Sequence, residues 1–395
     1  MSGVESEVRV VEIQGRGRGV VASKPLRGGQ IVLKDSPILI YSSLPILRHQ
    51  LISYCDNCFK TLPSPPQNTS CCNHHIFCSP KCQSVASSPW LCQALTCLQD
   101  SPITTQPLER QVQLRYLMAA YNLALVSPSS FQILLSLHGQ PSGSDSDSHF
   151  LHSLISSLCP PHIQGGFSVE LTAALLEKDK LNAFALMEPF SQERERSVRG
   201  YGIYPNASFF NHDCLPNACR FDYVDSASAN NTDMIVRMIH DVPQGREICL
   251  SYFPVNQNYS ARQKRLLEDY GFTCDCDRCK VEANWSDNEN GDDDDNDNDN
   301  DNDNDNDNDN GNDNDNDDVM DEEGMEASEL EIEGDNQDDF PHAYFFLKYM
   351  CDLDNCWGTL APLPPTDSTH SNVMECNVCG NLKNDEGEAS LAMDG

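Results

Sequence analysis

The sequence predicts an α+β fold in which one β-rich body is interrupted by a cysteine-dense module and then by a helical insert. Three observations carry that expectation. Strand-like alternation with glycine turns occurs within residues 8–41 and again within 234–253. Helical periodicity fills much of the span between them. The 19 cysteines of the 395-residue chain fall in tight groups.

In order along the chain, VRVVEI (8–13), GVVAS (19–23) and QIVLKDSPILIY (30–41) are rich in β-branched residues and are separated by the turn-forming QGRGRG and KPLRGG. Three short strands are expected. Residues 55–97 carry many Pro and Ser and little periodicity, as in a fold held by metal more than by an apolar core. RQVQLRYLMAAYNLAL (110–125) then places Val112, Tyr116, Ala119 or Ala120 and Leu123 at helical spacing. FQILLSLH, FLHSLISSLC and VELTAALLEKDKLNAFALM repeat that signature, so a helical scaffold is expected, with GQPSGSDSDSH as a loop within it. Strand signals return at MIVRMIHDV and EICLSYF, joined by the turn PQG, and the helix SARQKRLLEDY follows with Ser260 as its N-cap.

The formal charge of −35 is unevenly placed. Between Asp287 and Asp339 lie 27 of the 61 acidic residues and no Lys or Arg, so the rest of the chain sets 34 acids against 26 bases and is only mildly acidic. The Asp-Asn tract has too few apolar residues to offset the entropy of ordering, and a disordered solvated spacer is expected there. MSGVESEVRV has no apolar signal segment, and the longest apolar runs fall short of a membrane span. A soluble chain in a reducing compartment is expected. There, clustered Cys pairs bind zinc more often than they form disulfides.

Four groups of candidate ligands follow. Cys274, Cys276 and Cys279 form C-x-C-x2-C, three thiolates that leave one tetrahedral position for a fourth ligand, for which Cys214 is the candidate. Upstream, Cys55 with Cys58 and Cys78 with Cys82 are two chelate pairs. Cys71 with Cys72, His74 or His75, and Cys92 with Cys97, bring the ligands to the number needed for two interleaved ions. The partners around Cys71 stay open, and a ubiquitin-ligase RING finger uses a similar ligand number. In the tail, Cys351, Cys356, Cys376 and Cys379 suggest a zinc ribbon. Cys159, Cys219 and Cys249 are expected as buried free thiols. No group has the mixed ligands and open position of a catalytic zinc, and H-E-x-x-H is absent, so these metals are expected to be structural.

RGRGV (16–20), NHDCLPN (211–217) and REICLSYF (246–253), followed by CDCDRC, together resemble the signature segments of SET-domain protein lysine methyltransferases. The cysteine module after the first strands resembles a MYND zinc finger. The ordered set resembles the SET and MYND domain family, in particular its plant branch of absent-small-homeotic-related histone-lysine methyltransferases, across about residues 8 to 285.

The resemblance implies a SET-type β-rich catalytic domain split by a MYND-like zinc finger and a helical insert. A zinc-binding post-SET segment and a zinc-ribbon-like tail complete the chain. The implied divisions are 8–54 and 181–254 for the two halves of the SET domain, 55–97 for the finger and 98–180 for the insert. Residues 255–285 would be the post-SET zinc segment, 286–339 the acidic linker and 340–395 the tail. The second half should close over the first and bring the Gly17 turn beside Asn211.

The resemblance further implies S-adenosylmethionine as cofactor, three to four structural Zn2+ ions, and methyl transfer to a lysine ε-amine. Such an acceptor must arrive neutral, in a narrow channel that desolvates it and aligns it with the methyl carbon. Tyr252 is implied as the catalytic tyrosine, and Tyr270 and Tyr204 as channel walls. The implied cofactor contacts are the turn Arg16, Gly17, Arg18 and Gly19, with Arg18 where the family often has Asn, together with Asn182, Asn211, His212, Tyr252 and an adenine-stacking Phe272. The family pattern joins Cys214 to Cys274, Cys276 and Cys279 on one zinc. In the finger, the implied ligands are Cys55, Cys58, Cys71, His74, Cys78, Cys82, Cys92 and Cys97, the last two standing where the family closes with a His-Cys pair.

Implied partners are a protein substrate, either a histone tail or a non-histone lysine, and Pro-rich peptides at the finger. Only Lys60 and Lys81 are basic within 55–97, so direct nucleic acid binding is not expected there. A monomer in the nucleus, with the cytoplasm also open, is expected, and no membrane association. The alternative is a zinc-rich adaptor without activity. A decayed site would be expected to lose Tyr252, Asn211, His212 or the glycine turn, and all are present.

Overall fold

Alternating valines in β1 (Val8–Ile13) and β2 (Gly17–Ala22) form an antiparallel hairpin, in register from Val8 opposite Ala22 to Ile13 opposite Gly17. The structure is a computed structural model that describes residues 6–47, 54–62, 75–86, 88–140, 143, 145–159, 166–284, 342–365 and 371–385. The acidic tract and the candidate ligands Cys71 and His74 lie outside the described residues.

The run 30–41, expected as one strand, divides into β3 (Ile31–Asp35) and β4 (Leu39–Ser42), which join different sheets. Pro37 between them has no N–H to continue a ladder. The cysteine module is more regular than its composition suggests, with helices α1 (Pro80–Ala86) and α2 (Pro89–Leu98). The insert supplies α3 (Leu108–Val126), α4 (Pro128–Ser136), α5 (Ser146–Leu158) and α6 (Val169–Asn182). α5 starts inside the segment expected as a loop, because Asp145 caps it by accepting the Ser148 N–H at 2.7 Å.

Helical periodicity also ran too far at the insert's other end. α6 stops at Asn182, and AFALM becomes β5 (Ala183–Met187), which pairs antiparallel with β6 (Val198–Ile203). Four further strands follow: β7 (Asn211–His212), β8 (Ala218–Asp222), β9 (Met234–Met238) and β10 (Glu247–Leu250). α7 (Tyr259–Arg265) is capped by Asn258, whose side chain accepts the Ala261 N–H, and not by Ser260. It widens into a π turn over Leu266–Tyr270 before α8 (Asp277–Glu282). The tail contributes α9 (Ala343–Tyr349), β11 (Leu360–Pro362), β12 (Val373–Cys376) and β13 (Leu382–Asn384).

The strands form four small sheets, ordered β1-β2-β10-β7, β3-β9-β8, β4-β6-β5 and β11-β12-β13. The first two enclose a core of Val20, Ala22, Val236, Met238, Ile248 and Leu250. The insert packs Leu114, Tyr116, Leu117 and Tyr121 of α3 with Leu39 and Tyr41 of β4 and Ile203 of β6. β10 lies between β2, which it meets antiparallel, and β7, which it meets parallel with Cys249 opposite Asn211 and Leu250 opposite His212. That central strand brings the Gly17 turn beside Asn211, as expected.

The tail sheet packs against β8 and β9 through Phe221, Ile239, Phe345, Leu360 and Met374. Arg237, 3% exposed, stacks 3.7 Å over the Phe221 ring and donates to Glu375 at 2.9 Å, and the Tyr223 hydroxyl also reaches Glu375, at 3.0 Å. Glu375→Ala would leave the Arg237 guanidinium buried without its counter-charge. A loss of about 3–5 kcal/mol is expected, read by urea unfolding, and an unchanged midpoint would show that the tail does not depend on this pair.

Candidate active site and metal centres

The hairpin turn positions Arg16 so that it donates to Glu247 at 2.6 Å and to the His212 carbonyl at 2.5 Å. Burial pulls its pKa down, but Cys249, Glu247 and Asp213 around it raise it overall. Asn211 donates to the other Glu247 oxygen at 2.8 Å, and Asn217 spans the Glu247 carbonyl and the Cys249 N–H at 2.8 and 2.9 Å. Glu247, part of the REICLSYF segment but given no role by the sequence reading, thus ties the glycine turn to the Asn-His pair. Gly19 sits in the tightest part of this contact. A Cβ there would meet Ile13 Cδ1 at 2.4 Å, Asn211 Nδ2 at 2.8 Å and Glu247 Oε1 at 2.9 Å.

The His212 ring, 1% exposed, faces inward. Its Nδ1 accepts the Tyr252 N–H at 3.2 Å, which leaves Nε2 as the protonated nitrogen, 3.3 Å from Cys214 Sγ. Burial lowers its pKa to about 3, so the imidazole is neutral. The Tyr252 hydroxyl donates to the Phe210 carbonyl at 3.0 Å, and the Tyr252 ring lies 4.8 Å from Tyr270. Burial first, and then Tyr270, push Tyr252 well above an ordinary tyrosine pKa, and burial also raises Tyr270. Both stay protonated at neutral pH.

Phe272 follows the π turn through Gly271, stands 6.4 Å from His212 and is 37% exposed as a residue. Arg18 lies 4.8 Å over Phe209 and donates to the Ser136 carbonyl at 3.2 Å. Asn182 donates to the His138 and Lys178 carbonyls, both at 2.8 Å, and Lys178 holds the Leu137 and Gly139 carbonyls at 2.7 and 3.1 Å. Residues 136–139 therefore join the glycine turn and Asn182 to one wall. The scaffold reading of the insert overlooked this segment, since carbonyls leave no trace in residue type. Tyr204, considered as a channel wall, is fully buried, edge-on to Phe184 at 5.8 Å and bonded to the Thr232 carbonyl at 2.6 Å.

Tyr270 also lines a cavity of about 1280 Å3 formed with residues of α3, α6, β4 and β6. The same residue thus touches both the cavity and Tyr252.

Three sets of four thiols each have their sulfurs within 4.8 Å of one another: Cys55, Cys58, Cys78 and Cys82; Cys214, Cys274, Cys276 and Cys279; Cys351, Cys356, Cys376 and Cys379. This donor set and spacing suit tetrahedral Zn2+. The first and third use the same turn. The Phe59 N–H bonds the Cys55 carbonyl at 2.8 Å, and the Gly380 N–H bonds the Cys376 carbonyl at 3.0 Å, both with positive φ. Around the second set, Arg262 reaches Cys214 at 3.3 Å and Cys279 at 3.6 Å, and bonds Glu282 at 2.7 Å. Among the described residues Cys92 and Cys97 join none of these sets, and Cys92 is disulfide-bonded instead of offering a thiolate to zinc. Five positions apart on α2, they point about 140° apart around its axis.

Residues 17–253 match the SET domain family model, from the glycine turn to just past Tyr252. The chain belongs to the SET domain family. It is 56% identical to the histone-lysine N-methyltransferase ASHR2 of Arabidopsis thaliana over 97% of this chain and 96% of that protein. It is 25% identical to the human histone-lysine N-methyltransferase SMYD3, covering 69% of this chain and 61% of that protein. Among solved structures, the SET domain of LSMT bound to lysine and AdoHcy aligns at 14% identity with a TM-score of 0.29, covering 69% of this chain and 54% of that one, too distant to place residues. In this SET-family chain, Tyr270, Phe272 and the thiols of Cys274, Cys276 and Cys279 lie beyond the family match, and α7 with its π turn folds them back against Tyr252 and Cys214.

Proposed function

We propose that the protein transfers a methyl group from S-adenosylmethionine to the ε-amine of a lysine in a basic protein segment, with histone tails as the first candidates. The observation that carries this is the position of Tyr252: its hydroxyl is held on the Phe210 carbonyl, its backbone on His212, and its ring against Tyr270 at the edge of the large cavity. The similarity to histone-lysine methyltransferases over nearly the whole chain supports the same reading.

The cofactor would be held by the Arg16–Gly19 turn, Asn182, Asn211, the backbone at His212, Tyr252 and the exposed face of Phe272. The open space beside Gly17, where a Cβ would meet no atom within 4 Å, and the partly exposed Phe272 suit a ligand that carries an aromatic ring. When bound, it supplies an electrophilic methyl group. The chain's own residues do the rest. Tyr252 and Tyr270 wall the acceptor from water, which favours its neutral form, and their hydroxyls aim it. We further assign a structural zinc to each four-thiol set. The first would be the MYND-like finger, the second the post-SET segment and the third the ribbon-like tail. A histone substrate would place the protein in the nucleus on chromatin.

Transfer of labelled methyl groups to core histones and to whole-cell extract tests this reading, and no labelling of either would overturn it. The pH profile is a second check. Tyr252 is protonated in the working range because its pKa is raised, so no acidic or neutral group of the wall has to ionise. Below the pKa of the bound acceptor, single-turnover rate should rise about tenfold per pH unit as the lysine loses its proton. A rate that falls between pH 7 and 9 would contradict that assignment.

A further inference from the structure

The floor of the large cavity is built unlike its walls. Tyr41 of β4, Tyr201 of β6 and Asp179 of α6 all line it. The Tyr41 and Tyr201 rings stack at 5.5 Å and 22°, and Tyr116 meets Tyr41 edge-on at 5.3 Å. The Tyr41 hydroxyl donates to the Asp179 carboxylate. Behind them Tyr116 is fully buried, and its hydroxyl has no hydrogen-bond partner among the described residues. Leu44, Leu108, Val112 and Leu176 make the sides apolar.

Asp179 lies deep in the protein yet is reached through the cavity. Burial pushes its pKa up to about 7 against the lowering effect of Tyr41, and no cation contributes. Seven carboxylates line the cavity against two basic groups. Both of those are engaged elsewhere, Arg194 with Glu188 at 2.6 Å and Lys180 with the Glu268 carbonyl at 3.3 Å. A carboxylate at the bottom of an aromatic, aliphatic hole is costly to ionise without a cation to meet it. The cation that suits such surroundings is one that surrenders its water easily. Methylated ammonium groups do so, and aromatic surfaces attract them.

We propose that Tyr201 and Asp179, the latter held by the buried Tyr41 hydroxyl, form a binding site for the methylated ammonium group of a lysine side chain, distinct from the site at Tyr252. Tyr270 lines the same cavity, so a peptide held by a methyllysine on this floor would run toward the proposed acceptor channel. The protein would then read one methyl mark while presenting a second lysine for modification. That the occupant belongs to a substrate peptide rests on the methyltransferase reading. The binding site itself does not.

The test titrates the full-length, zinc-loaded protein with free Nε-trimethyllysine, lysine and norleucine, followed by calorimetry and ligand-observed NMR. Trimethyllysine should bind about tenfold or more tighter than the other two, and tetramethylammonium chloride should compete with it. Asp179→Asn and Tyr201→Leu should each weaken it about tenfold, with Tyr252→Phe unchanged. If Asp179→Asn does not fold, Tyr201→Leu, whose side chain edges the cavity, decides. Equal affinity for lysine or norleucine, no saturable binding, unchanged binding in the floor variants, or loss in Tyr252→Phe would each overturn the proposal. Labelled-methyl transfer run alongside separates the two readings: binding without transfer sinks only the enzyme, and transfer without binding sinks only this site.

Discussion

Tyr252→Phe should lower methyl transfer by about 10²–10³-fold, the usual cost of removing one preorganised polar group from a reaction site, while the protein stays folded. The ring would keep its contacts with Tyr270 and His212, 4.8 and 5.2 Å away. The backbone N–H would still reach His212 Nδ1. What goes is a single neutral hydrogen bond to the Phe210 carbonyl, a change of about 1 kcal/mol in stability. Rate and stability therefore separate, and measuring both on one preparation is decisive. A variant with native melting and native turnover would remove Tyr252 from the chemistry and return weight to an adaptor role.

Cys276→Ser is expected to act through stability and activity together. It removes one of four thiols that gather α8, the Cys274 segment and Cys214. Losing a structural metal site belongs among the largest single-residue effects, more than about 4 kcal/mol. The damage should not stay local. Cys214 Sγ lies 3.3 Å from His212 Nε2, and the opposite nitrogen of that ring accepts the Tyr252 N–H. Zinc content by mass spectrometry of the native protein should fall by one ion per chain, with methyl transfer abolished. Full activity in the metal-free protein would refute the coupling.

Much of this site could be read from residue types, because its chemistry uses rare side chains at tight spacing. The C-x-C-x2-C triplet and NHDC pointed to one cluster, and the structure brings those four sulfurs together. The remainder depended on partners distant in sequence. β5 is apolar enough to continue α6, and only pairing with β6 makes it a strand. β6 itself, VRGYGI, has two glycines that weaken any strand signal, yet at Gly200 a Cβ would meet Phe59 at 2.7 Å. The 136–139 carbonyls act by position alone, and the partners of the Glu247 carboxylate, Arg16 and Asn211, are distant in sequence. His212 was expected to face the cofactor, and its carbonyl does lie at the glycine turn, but its ring turns to Tyr252 and Cys214.

The placement of β10 between β2 and β7 also governs when the pocket can exist. The ribosome delivers the hairpin first, more than two hundred residues before the strand that covers the open edge of β2. Until then that edge can pair with other chains. Such distant pairing slows folding, because loop closure must precede any gain from contact. A nascent chain halted before Cys279 would hold the hairpin, the insert and the Asn-His pair, and still lack one thiol of the second set. Vulnerability to aggregation should therefore concentrate during synthesis, and chaperone capture of stalled chains should decline once residue 279 has emerged.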